Sequence, residues 1–230
     1  MKNLAAALIG AWMRWDMRRS FDRVVWHGAW PPALPQGRPL IICANHHHFY
    51  DAHLVWYVLR MLERPGLVWM QEWRRFPIFA PVGALPFPAD DPRTRASTVR
   101  RTARYFQKQP NTGLVYFPSG TLQTPEVGIG PYPEERFTRL HRLYPTVQFW
   151  PMALHITWDG GPYPVARMRG GTVFDLNHTD PGCIETELRT LWTQLRETTD
   201  PNTHLLMRGR PSPADRWNLA WMAPLFKRLL

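Results

Sequence analysis

Apolar residues recur along this chain in two rhythms. Short unbroken runs occupy Leu40–Ala44, Gly66–Met70, Gly113–Phe117 and Val147–Ile156, each bounded by polar or turn-forming residues. Runs of that length read as buried strands rather than helices. Residues 21–27 and 165–174 alternate more loosely and also predict strands. Between these runs the apolar positions fall at helical spacing. Leu54, Val55, Tyr57, Val58, Met61 and Leu62 follow Asp51. Ala96, Val99, Ala103 and Phe106 form one stripe in 92–108, where Pro92 suits a first helical turn. Phe137, Leu140 and Tyr144 mark a short helix over 134–144. Ile184, Leu188, Leu191, Trp192 and Leu195 mark another over 181–197. Strands alternating with helices predict a single α/β domain, with a largely parallel or mixed central sheet flanked by helices.

The two ends differ from this pattern. Residues 1–20 predict an amphipathic helix. Its apolar part, Leu4–Met13, is well short of the ~20 residues that span a bilayer. Its positive charges, Arg14, Arg18 and Arg19, follow the apolar part, whereas a signal peptide carries them ahead of it. The helix either lies on a membrane surface or packs on the domain. The domain proper is expected over 21–197. Residues 198–213 read as a linker. The tail to residue 230 reads as a second amphipathic helix, with Ser212-Pro213 at its start and Pro224 bending it.

Charge and composition narrow the partners. The 230 residues carry a net charge of +10 and twelve Trp. A basic surface favours anionic partners, and abundant Trp favours a membrane interface. Two cysteines, Cys43 and Cys183, make no disulfide framework, and Cys43 reads as a buried free thiol. The chain has no Gly-rich phosphate loop, no Gly-x-Ser-x-Gly elbow, no internal repeat and no nucleic-acid recognition motif. No cofactor and no nucleic acid are expected.

The candidate chemistry lies where the first buried run ends. His46 falls in the turn after that strand, and Asp51 near the start of the next helix, within reach of the imidazole. A carboxylate on one ring nitrogen fixes the tautomer and leaves the other nitrogen free to take a proton. No Ser or Cys nucleophile stands beside it, so the base would act directly on a substrate hydroxyl. Asp51 also suits a helix N-cap, and the two roles are compatible. Three consecutive histidines, His46 to His48, point in different directions, and no further ligand cluster has metal spacing, so no metal is expected.

His46-x-x-x-x-Asp51 after Asn45 resembles the first motif of the glycerolipid (lysophospholipid) acyltransferases. Phe117-Pro118-Ser119-Gly120-Thr121 resembles their third, usually Phe-Pro-Glu-Gly-Thr. Gly83 to Pro92 resembles the second, with Ala89-Asp90-Asp91-Pro92 where the family has an acidic-Arg pair. The nearest arginines are Arg93 and Arg95. Trp150 to Leu154 resembles the fourth, an apolar-Pro-apolar segment that lines the acyl or acceptor site. The likeness covers roughly residues 20–197. It implies a membrane-associated O-acyltransferase of phospholipid biosynthesis with His46 and Asp51 as the catalytic pair. Arg93, Arg95, Ser119, Gly120 and Thr121 would bind substrate. Acyl-CoA or acyl-carrier protein would be the donor, and a lysophospholipid hydroxyl the acceptor. The protein would sit on the cytoplasmic side of a membrane, peripheral or monotopic. Ser119 in place of Glu and the displaced arginines leave open a non-phosphorylated acceptor, such as a glycolipid or glycosylated carotenoid. A non-catalytic anionic-lipid-binding relative is the further alternative.

Overall fold

The computed structural model describes residues 2–197, 202–210 and 220. Its centre is an eight-stranded sheet built from β1 (Arg23–His27), β2 (Leu40–Ala44), β3 (Gly66–Met70), β4 (Ala84–Pro86), β5 (Gly113–Tyr116), β6 (Gln148–Thr157), β7 (Val165–Gly170) and β8 (Thr203–Arg208). The spatial order is β4-β3-β5-β2-β6-β7-β1-β8. From β4 to β6 the pairs are parallel. β7 runs antiparallel to β6, β1 parallel to β7, and β8 antiparallel to β1. This is the predicted α/β domain with a mixed, mostly parallel sheet.

Both faces of the sheet are covered, which is why its central strands lack polar alternation. Every residue of β2 is buried. Leu40, Ile42 and Ala44 enter one core, and Ile41 and Cys43 enter the other. The first face carries α1 (Lys2–Ser20), α2 (Asp51–Met61) and a 3₁₀ turn at Pro77–Val82. The second carries α3 (Pro92–Lys108), α4 (Glu134–Leu143) and α5 (Gly182–Glu197). Cys43 is buried and unbonded, and burial pushes its thiol upward.

Three expectations need correction. The expected α3 stripe holds at Phe106, which is buried, and at Val99 and Ala103, which pack partly buried on the core, whereas Ala96 faces solvent and Thr98 and Thr102 are buried instead. Two threonines serve as core residues because each hydroxyl is bonded. Thr98 donates to the Pro86 carbonyl at 2.5 Å, Thr102 to the Thr98 carbonyl at 3.0 Å, and Trp69 Nε1 donates to Thr102 at 3.0 Å. Residues 203–208, expected within a linker, form β8. The strand exists because β1 presents an open edge, and it buries only Leu206 and Met207 there. The strand expected over 165–174 ends at Gly170, and Phe174 makes an isolated bridge to Phe149. The helix expected over 213–230 lies outside the described residues, Ala220 apart.

α1 packs on the domain. Gly10, Met13 and Met17 are buried, and a Cβ at Gly10 would stand 3.1 Å from the Trp56 ring. Its outward face is also apolar: Leu4, Leu8, Trp12 and Trp15 are 47–65% exposed.

Candidate active site

The carboxyl ends of β2 to β6 lie along one edge of the sheet, where open α/β sheets bind ligands. At the end of β2, Asn45 is fully buried. Its side chain accepts from the Leu154 N–H and donates to the Leu154 carbonyl, both at 2.8 Å, clamping the strand end to β6. The same amide donates to His47 Nδ1 at 3.1 Å. His46 follows. Its Nδ1 lies 3.1 Å from Asp51 Oδ2. The Asp51 side chain is 2% exposed and that of His46 22%. An ionised carboxylate only accepts, so Nδ1 carries the proton and Nε2 keeps its lone pair.

Asp51 does not cap its helix. The N-cap is Tyr50, without a side-chain cap bond, and Asp51 is the first helical residue. Its carboxylate instead turns back on the preceding loop. Oδ2 accepts from the backbone N–H of His47 at 2.7 Å and of His48 at 2.8 Å, besides His46. The charge also lies at a helix N-terminus, where the macrodipole favours an anion.

The 117–121 loop after β5 meets His46 from the side. The Phe117 ring stacks on the imidazole, with centroids 4.2 Å apart and planes 17° off parallel. The Gly120 N–H donates to the Phe117 carbonyl at 3.0 Å, and Gly120 takes φ +74°, a left-handed turn that glycine accepts without strain. Ser119 is partly buried, and its hydroxyl donates to the Thr121 carbonyl at 2.8 Å. It braces its own loop, with Gly120 and Thr121 exposed beside it. Two contacts absent from the expected site fix this loop: Arg136 of α4 donates to the Pro118 carbonyl, and the Gln123 N–H to the His46 carbonyl at 2.8 Å. Neither has a sequence signal, because each partner is a backbone oxygen.

Arg93 and Arg95 lie in the first turn of α3, which follows β4, the edge strand three places from β2 in the sheet. Arg95 donates to the Ala89 carbonyl at 2.9 Å. Asp91 is the N-cap of α3 and accepts from the Thr94 N–H at 3.0 Å. The Trp150–Leu154 segment is buried within β6. Trp150 helps to line a cavity of about 250 Å³ with Trp26, Gly28 and Gly170, at the opposite end of the sheet from His46.

The other histidines each have work of their own. His47 Nε2 donates to the Gly128 carbonyl at 3.0 Å, and burial pushes its pKa down. His48 Nδ1 accepts from the Tyr50 N–H at 3.2 Å. His155 sits edge-on to Trp192. Burial first, then Arg167 and Arg196, pushes it down to about 4. Among the described residues no group of three or more His, Cys, Asp or Glu is placed to hold a metal ion.

No protein-family model matches this chain, and no curated protein matches its sequence.

Proposed function

We propose that this chain is an O-acyltransferase acting at a lipid surface, with His46 as general base. The observation that carries the reading is the His46–Asp51 pair: a partly exposed imidazole at the carboxyl end of β2, backed by a buried carboxylate 3.1 Å away. His46 Nε2 takes the proton of an acceptor hydroxyl. The oxygen attacks the thioester carbonyl of acyl-CoA or acyl-carrier protein, the C–S bond breaks, and the thiolate leaves with the proton returned by the imidazolium. A thiolate leaves readily enough that no acyl-enzyme is needed. General-base help of this kind is worth ~10²–10⁴ in rate.

The acceptor class that fits the resemblance is a lysophospholipid. The Ser119 hydroxyl turned onto its own loop, and the Arg95 guanidinium turned onto the Ala89 carbonyl, favour equally a neutral lipid hydroxyl on a glycolipid or glycosylated carotenoid. The lipid surface is supported by α1. Its outward Leu4, Leu8, Trp12 and Trp15 end in Arg18 and Arg19, suited to an anionic bilayer on the cytoplasmic side. The attachment proposed is peripheral or monotopic; no helix among the described residues is long and apolar enough to cross a membrane.

The test is acyl transfer by purified protein in lipid micelles. Labelled acyl-CoA or acyl-carrier protein is offered with lysophosphatidic acid and with neutral lipid alcohols, beside His46→Ala. Product on lysophosphatidic acid that is lost in the variant supports a phospholipid role. Product only on a neutral alcohol moves the acceptor class. Absence of product with every donor and acceptor overturns the enzyme and leaves a lipid-binding protein.

A further inference from the structure

Tyr50 is an unusual residue for its place. Helix N-caps favour Ser, Thr, Asp and Asn, whose short side chains satisfy the first free N–H groups. Tyr50 makes no such bond. Its side chain leaves α2 altogether and reaches α1. The hydroxyl donates to Asp16 Oδ2 at 2.7 Å and, its proton being so used, accepts from the Ser20 hydroxyl at 2.7 Å. Burial pushes the Tyr50 pKa up, which keeps that hydroxyl a donor.

The same residue is bound into the catalytic loop. Its N–H donates to His48 Nδ1, its ring stacks on His48, and the His48 N–H donates to Asp51 Oδ2. The loop from His46 to Asp51 is thus gathered on one side by the Asp51 carboxylate and pinned on the other to α1. His53, in the first turn of α2, also lies near Asp16, but burial pushes it down to about 4, so at neutral pH it is uncharged and leaves the Asp16 carboxylate to Tyr50.

α1 is held to the domain by few buried side chains and turns an apolar face outward. It is therefore the element that a lipid surface would press upon, and Tyr50 is its bonded link to the base. We infer that Tyr50 is a positioning residue: through the Asp16–Tyr50–Ser20 clasp, α1 holds the His46–Asp51 pair in its working geometry. This inference rests on the proposed role of His46, but its first readout does not.

The experiment uses the full chain with ¹⁵N-labelled histidine. The ring-nitrogen signals of His46, assigned by their loss in His46→Ala, report which nitrogen carries the proton. The wild type should hold the Nδ1–H tautomer. Tyr50→Phe keeps the ring packing and removes only the hydroxyl, and Asp16→Asn removes the charged acceptor. Each should mix the two His46 tautomers. Each should also lower kcat for acyl transfer by on the order of tenfold or more, with the KM for acyl-CoA unchanged. The double variant should be no worse than either single one, because both break the same clasp. Additive losses, or a His46 tautomer unmoved in both variants, overturn the inference. A shifted tautomer without acyl transfer in any form keeps the positioning role and removes the enzyme. Transfer that Tyr50→Phe leaves untouched does the reverse. Should Tyr50→Phe fail to fold, Asp16→Asn and Ser20→Ala carry the same readout.

Discussion

At the scale of single residues, the candidate site is held by a few polar side chains that each bond several backbone groups. Asn45 shows how much rests on one amide: it satisfies both backbone groups of Leu154 and one ring nitrogen of His47. Asn45→Leu should destabilise the fold by about 3 kcal/mol, since two buried backbone groups lose their partner at about 1–3 kcal/mol each. Urea unfolding measures it. His46→Ala should remove acyl transfer by ~10²–10⁴. Asp51→Asn should lower it too: all three bonds fall on Oδ2, and a neutral amide oxygen in that place accepts more weakly and cannot stabilise the imidazolium as a carboxylate does. His53 gives the chain a pH dependence. It packs against Phe49, Tyr50 and Phe79, near the Asp16 carboxylate, and its pKa falls from 6.5 to about 4. The unfolded chain therefore binds the proton first. Its contribution is fully present above pH 6.5 and is lost as pH falls toward 4, by about 3 kcal/mol in all. His53→Phe should flatten that part of a stability-versus-pH curve. His46 and Asp51 were legible in the sequence because a His after a buried strand and an Asp at a helix start lie within reach of each other. Asn45 and Phe117 stood in the sequence only as motif neighbours, and Arg136 and Tyr50 not at all, because the contacts each makes depend on which backbone or ring the fold places opposite.

At the scale of elements, the central strands and the helices behind them follow from their apolar rhythm, and α3 shows where that rhythm misleads. Its core face adds Thr98 and Thr102 to Phe106, Val99 and Ala103, because their hydroxyls find the Pro86 and Thr98 carbonyls, and no hydropathy pattern reports a satisfied hydroxyl. β8 was hidden for a different reason. Its pairing is dictated by an open edge of β1 far away in sequence, not by its own two buried side chains. The β4 edge has its own sharp constraint. Gly83 takes φ +105°, and a Cβ there would lie 1.9 Å from the Gly66 carbonyl oxygen. Gly83→Ala should cost more than the ~1 kcal/mol of an unfavourable dihedral alone, since backbone must move as well. β4 should then detach from β3, and amide exchange at Leu67 to Met70 should quicken while β2 and β6 stay protected.

At the scale of the whole molecule, a basic chain presents one helix that is apolar on both sides, one face to the core and the other to the surroundings. Trp12→Ala combined with Trp15→Ala should weaken flotation with anionic vesicles and leave the fold intact, since both residues are half exposed. The attraction should fade with salt, because surface arginines contribute about 1 kcal/mol each only within a Debye length. Flotation equal to wild type would place the lipid contact elsewhere on the chain. The strand order has a consequence in time. β1 is made early, yet the partners that flank it in the sheet are residues 165–170 and 203–208. During synthesis the segment that ties α1 to the sheet waits until nearly all of the rest has emerged. A nascent chain therefore completes the layer that carries Asn45 and His46 while its first strand is still unpaired. A ribosome stalled before residue 165 would hold a chain whose β1 has neither neighbour, with α1 tied to the layer through Tyr50, Trp56 and Phe79.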